Sequence, residues 1–111
     1  MQLAPLPPAL AARRSVLYIL NWVFEWDLEK ARRNGDKHAV TFDEAASAFD
    51  DPDGLDGEDL AHSTRESRRL RLACSGTGRV LVVAYTVRGD AVRIISARLA
   101  SRKERQRYGK A

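Results

Sequence analysis

The apolar positions of this chain change their period along its length, and each change marks an element. Val16 to Phe24 is a nearly unbroken apolar run. It is too short to cross a bilayer, which takes about twenty residues, and it lacks the small-residue cleavage site of a signal sequence. We read a first strand over Val23 to Trp26, with room to start earlier. Leu28, Ala31 and Gly35 then recur at helical spacing, with His38 at the margin of their face. Lys30, Asn34 and Lys37 line up on the opposite side. Asp27 is placed to cap this helix, which runs to about Lys37. Thr41 and Glu44 have capping-box spacing, opening a short helix whose apolar side is Phe42, Ala45, Ala46 and Phe49.

Asp50 to Glu58 reads as turn chemistry, and Leu55 stands where a calcium loop needs a ligand. From Arg68 the period switches to two. Arg68, Leu70, Leu72 and Cys74 alternate with Arg69, Arg71, Ala73 and Ser75. Gly76-Thr77-Gly78 makes a turn, and Arg79 to Val87 is apolar on both faces, as a central strand should be. Arg88-Gly89-Asp90 reads as a second hairpin turn. A last strand over Val92 to Arg98 runs into a helix opened by the Ser101 and Glu104 capping box, with Gly109 at its stop. The predicted class is α+β, in the order β-α-α-β-β-β-α, with an antiparallel sheet packed by helices. Residues 1–15, rich in proline and alanine, read as a flexible arm, and residues 16–111 as a single domain.

Composition sharpens this in two places. The net charge of +4 is unevenly spread. Residues 43 to 59 hold eight acids and no base, whereas from Arg88 onward there are eight Lys or Arg against Asp90 and Glu104. A basic C-terminal third suits a polyanion, and an acidic middle suits a cationic protein partner. Cys74 is the one cysteine, which rules out an internal disulfide and points to a reducing, cytoplasmic setting. With no base paired to it, it reads as a small core residue rather than a nucleophile.

Several stretches together resemble one known family. Phe24-Glu25-Trp26-Asp27, Lys30, Asn34, Lys37-His38, Val40-Thr41-Phe42, Glu44-Ala45 and Phe49-Asp50-Asp51-Pro52 resemble the first half of the BrnT toxins. His62-Ser63, Arg68, Gly78 to Val83 and Arg93 to Arg98 resemble the second half, with Glu104 and Tyr108 behind them. The resemblance implies a RelE-like ribonuclease, the toxin of a bacterial toxin–antitoxin pair. Its partner would be a BrnA-type antitoxin with a ribbon-helix-helix domain, and operator DNA would be met only through that antitoxin. Ala73 and Cys74 stand where the family usually has a glycine and a basic residue. That departure favours an alternative reading, a weak or inactive module that pairs with the antitoxin and co-represses its operon.

RNA cleavage by the substrate's own 2′-hydroxyl needs a proton acceptor, a stabiliser for the phosphorane and a proton donor for the leaving oxygen. The chain has no HxH, CxxC or HExxH spacing for a metal, so we expect no metal and no cofactor. Arginine suits the phosphorane, histidine the proton transfer, and tyrosine either stacking or proton donation. The catalytic candidates are Arg98, Arg79, His38 and Tyr108, with Lys30, Lys37, Arg68, Arg93, Arg102 and Arg105 as RNA contacts. His62, in a polar loop, is a further candidate for shuttling protons. In a meander, the start of the middle strand lies beside the end of the last, so Arg79 and Arg98 are expected on one rim. Arg68, at the start of the first strand of the meander, is expected about 20 to 25 Å from that rim at ~3.3 Å per residue.

Overall fold

The computed structural model describes residues 14–19, 22–63 and 66–109. Its strands are β1 (Arg14–Ile19), β2 (Trp22–Asp27), β3 (Leu55–Glu58), β4 (Arg69–Cys74), β5 (Val80–Arg88) and β6 (Ala91–Leu99). Its α-helices are α1 (Leu28–His38), α2 (Phe42–Ser47) and α3 (Arg102–Gly109). The strands form one sheet in the order β1-β2-β6-β5-β4-β3. All neighbours are antiparallel except β2 and β6, which run parallel because α1, α2 and the β3 to β5 meander lie between them in sequence.

Two strands were not predicted. The apolar run from Val16 is a hairpin rather than an arm leading into a single strand: β1 pairs with β2 from Arg14↔Asp27 to Ile19↔Trp22. Of the arm expected over residues 1–15, the first thirteen lie outside the described residues, and Arg14 and Ser15 open β1. The other is β3, which converts part of the acidic turn into an edge strand opposite Arg69 to Leu72. Its sequence, Leu-Asp-Gly-Glu, has almost no strand propensity, and pairing with β4 supplies what propensity does not.

The register fixes what each face carries. Leu81 and Val83 lie opposite Leu99 and Ala97 on one side and Ala73 and Arg71 on the other, so these share a face. Val82 and Ala84 lie opposite Arg98 and Ser96, and opposite Leu72 and Leu70, on the second face. The first face carries the main core, where Phe24, Phe42, Leu81, Ile94, Val40 and Val83 are the largest fully buried side chains. Each stabilises the fold by about 1.5 to 3 kcal/mol through burial. Among the described residues the second face is covered only at one end, where Tyr108 of α3 packs on Leu72, Val82 and Ala100.

Capping follows the sequence closely. Asp27 accepts from the Lys30 amide, and Thr41 from the Glu44 amide at 3.1 Å. At Ser101 the box is complete, with the Glu104 amide donating to the serine Oγ and the Ser101 amide to the glutamate. At Thr41 it is half formed. Glu44 turns instead to Arg79, Ser75 and Thr77, since a guanidinium outbids a lone backbone amide for a carboxylate.

Asn34 departs from the sequence reading. It is buried, not on a solvent face beside Lys30 and Lys37. β2 pairs with β6 only through Ala91 to Arg93, which leaves the outer backbone groups of Ala97 without a strand. The Asn34 amide takes that place. Its Nδ2 donates to the Ala97 and Val40 carbonyls at 2.8 and 3.0 Å, and its Oδ1 accepts from the Ala97 amide at 3.0 Å. The polar stripe of α1 is therefore aimed at the edge of β6.

Candidate functional site

The uncovered part of the second face holds three hollows that share walls. One, of about 320 Å³, has Leu70, Val82, Ala84 and Ser96 as its floor and Asp59, His62, Arg68 and Arg98 around it. A second, of about 270 Å³, shares His62 and Arg68 with the first and adds Lys30, Glu66, Thr86, Arg88, Arg93 and Ile95. The third, of about 300 Å³, runs along α1 past Lys30, Arg33, Lys37 and His38 and meets the first at Ser96. Together they make one trough, walled by α1 on one side and on the other by the described ends of the Asp59–Arg68 loop, through Asp59, His62, Glu66 and Arg68. No described helix is long and apolar enough to cross a membrane.

The loop is tied shut at its base. The Asp59 amide donates to the Arg68 carbonyl at 2.7 Å, continuing the β3–β4 ladder. The Ser63 hydroxyl donates to the Asp59 carbonyl and accepts from the Arg68 amide at 2.9 Å. This brings His62 and Arg68 to the same mouth. His62 Nδ1 lies 3.0 Å from Asp59 Oδ2. In the neutral ring that bond puts the proton on Nδ1 and leaves Nε2 as the acceptor.

The arginines of the trough differ in what they already hold. Arg88 is paired with Glu66 at 2.8 Å, Arg93 with Glu25 at 3.6 Å, and Arg98 with Glu104 at 2.7 and 2.9 Å. Hydrogen bonding from Arg98 holds the Glu104 carboxyl down at about 2. Arg68 differs from all of these. Its guanidinium makes no ion pair or hydrogen bond among the described residues, and its Nε is buried without a partner. A buried donor without an acceptor costs about 1 to 3 kcal/mol, and it is the kind of group an incoming anion satisfies.

The predicted site is thus redistributed. Arg79 and Arg98 do not share a rim. Arg98 is on the trough face, whereas Arg79 donates through Nε to Glu44 at 2.9 Å and through Nη2 to Glu44 and to the Ala39 carbonyl, under the helices of the other face. The meander does bring the two strand ends together, but the register gives the residues opposite parity. Arg68, expected far from Arg98, lines the same hollow as Arg98, because the register sets Arg98 level with Val82 and Leu72, four residues along from Arg68 and on the same face. Tyr108 lines none of the three hollows. Its hydroxyl donates to Asp51, and that bond pushes its pKa up to about 12. Lys30, Lys37, His38 and Arg93 stand along the trough. Arg102 and Arg105 are exposed on α3, Arg105 donating to the Ala100 carbonyl at 2.9 Å. Asp59 was missed in the sequence, submerged in the acidic run, although its three-residue spacing from His62 was visible. Among the described residues no cluster of three or more His, Cys, Asp or Glu is placed to hold a metal ion.

The profile of the ribonuclease toxin BrnT, of type II toxin–antitoxin systems, matches residues 26–104. The chain belongs to the BrnT family. No curated protein gives a significant match. The crystal structure of the Brucella abortus ribonuclease toxin BrnT is similar, with a TM-score of 0.54 and 21% identity over 69% of this chain and 94% of that one. At that identity the likeness establishes a shared fold. Strand β1 lies outside the matched residues. Ala73 and Cys74 lie outside the trough: Ala73 is fully buried in the main core, and the Cys74 amide donates to Asp51 at 2.8 Å.

Proposed function

We propose that this BrnT-family toxin is a metal-independent RNA endonuclease that grips the scissile phosphate in the trough, and that a BrnA-type antitoxin neutralises it. The observation that carries the reading is the uncommitted Arg68 guanidinium, in one hollow with Arg98 and the His62–Asp59 pair. His62 Nε2 takes the proton of the 2′-hydroxyl as its oxygen attacks phosphorus, with Asp59 stabilising the imidazolium that forms. Arg68 and Arg98 take the charge that accumulates on the non-bridging oxygens. The 5′-oxygen leaves as a hydroxyl, taking its proton from solvent, the P–O5′ bond breaks as the P–O2′ bond forms, and the product end is a 2′,3′-cyclic phosphate. Lys30, Lys37 and Arg93 continue the positive track and hold the flanking phosphates without reading bases. His38 meets the strand at the far end of α1. Among the described residues no Phe, Tyr or Trp lines the trough, so stacking there falls to His62 and His38 alone.

The test is incubation of purified protein with a mixed-sequence RNA in the presence of EDTA. Cleavage with cyclic phosphate ends is expected, lowered about 100-fold or more by Arg68→Ala and about tenfold by Asp59→Asn. Full activity of Arg68→Ala, or activity abolished by EDTA, would sink the reading. Ala73 and Cys74 no longer favour an inactive module, since neither touches the trough.

A further inference from the structure

Arg98 has five N–H bonds, and three of them are spoken for. Nη1 donates to Glu104 Oε1 at 2.7 Å and to the Leu99 carbonyl at 3.3 Å, and Nη2 donates to Glu104 Oε2 at 2.9 Å. Glu104 thus occupies the end-on fork formed by the two terminal nitrogens. The remaining donors are the Nε–H and the second hydrogen of Nη2. These lie parallel along one side of the guanidinium plane and have no acceptor among the described residues. That side-on fork has the spacing of two phosphate oxygens.

We propose that Glu104 is a positioning residue for phosphate binding: it anchors Arg98 end-on from α3 and leaves the side-on fork of Arg98 for the RNA phosphate. The inference rests on the trough being the RNA site. An arginine free to rotate loses side-chain entropy on binding, and one already clamped loses less. Glu104 is itself held, because it accepts the Ser101 amide at 2.8 Å in the capping box that starts α3. The helix end and the arginine therefore share one carboxylate. The basic helix positions the site from behind, with no contact to the substrate required of it.

The capping box supplies a clean experiment. Glutamine keeps the bond to the Ser101 amide but offers Arg98 only one acceptor. Binding of a 2′-O-methyl RNA, which lacks the attacking hydroxyl, and cleavage of the ordinary RNA are measured for wild type, Glu104→Gln, Arg98→Ala and the double variant, with thermal unfolding of each. Glu104→Gln is expected to weaken binding of the methylated RNA and lower kcat/KM about tenfold while the protein stays folded at the assay temperature, its Tm lowered by no more than about 10 °C, and to have no further effect on binding or cleavage in the Arg98→Ala background. Unchanged or tighter binding by Glu104→Gln would overturn the proposal, the latter marking Glu104 as a competitor of the phosphate. An equal loss with and without Arg98 would overturn it as well. If wild type binds the methylated RNA but leaves ordinary RNA intact, the nuclease reading falls while the coupling of Glu104 to Arg98 is still decided by binding. If wild type does not bind it, both fall.

Discussion

Arg79, just before β5, and Arg98 of β6 address opposite faces of the sheet, Arg79 bound to Glu44 of α2 and Arg98 to Glu104 of α3. One guanidinium fastens the core helices and the other faces the trough. Arg79→Ala leaves Glu44 with only the hydroxyls of Ser75 and Thr77, so it is expected to cost about 1 to 2 kcal/mol of stability. Cleavage per folded molecule should stay within about twofold of wild type. Urea unfolding beside a cleavage assay under native conditions checks this, and a large loss of activity in folded protein would return Arg79 to the site.

Arg68 is expected to show the reverse. Replacing it with methionine removes a buried donor that has no partner and keeps much of the packing volume. Stability should be unchanged or rise by up to about 1 kcal/mol, while RNA binding falls. Denaturant midpoints and titration with a labelled oligonucleotide measure the two effects. A marked loss of stability would show that Arg68 serves the fold.

Acid should unfold the protein through two carboxylates. Glu44 and Glu104 are both held at about 2, in each case chiefly by the hydrogen bond from its arginine, below an ordinary value of 4.5. A depressed folded-state pKa contributes stability that is complete above the unfolded value and is lost as pH falls through the folded one. The loss is therefore expected between about pH 4.5 and 2. Both arginines are partly exposed, so each pair is worth about 1 to 2 kcal/mol at most after screening. Glu44→Gln should flatten its share of the acid limb in urea unfolding measured across that range.

Asn34 acts as a short strand beside β6, and its amide orientation makes the test specific. Asn34→Asp keeps the acceptor for the Ala97 amide but loses both donated bonds and sets a charge against two carbonyls. A loss of about 2 to 4 kcal/mol is expected, exceeding that of an exposed substitution on the same helix. Amide exchange at Ala97 should quicken with it. Wild-type stability in the aspartate variant would remove the strand-substitute role.

Much was settled by local chemistry, and so was visible in the chain. Asp27, Thr41 and Ser101 cap their helices because a side-chain oxygen within three residues of a free amide needs no distant help. Gly78 and Gly89 turn the hairpins at positive φ of 87° and 58°, where other residues are strained. The three strands of the meander and their order followed from alternation in the same way, and the family from the resemblance of several motifs taken together. What no local pattern fixed was the parity between strands. The pairing of Val82 with Arg98, and the register shift at Ala84/Tyr85, decide which face each arginine meets. A slip of one residue would exchange the faces without altering any strand's own sequence. Long-range pairing likewise made a strand of Leu55–Glu58 and turned Asn34 inward. Which cations meet a phosphate is thus a property of register, and register is set by packing between segments far apart in the chain.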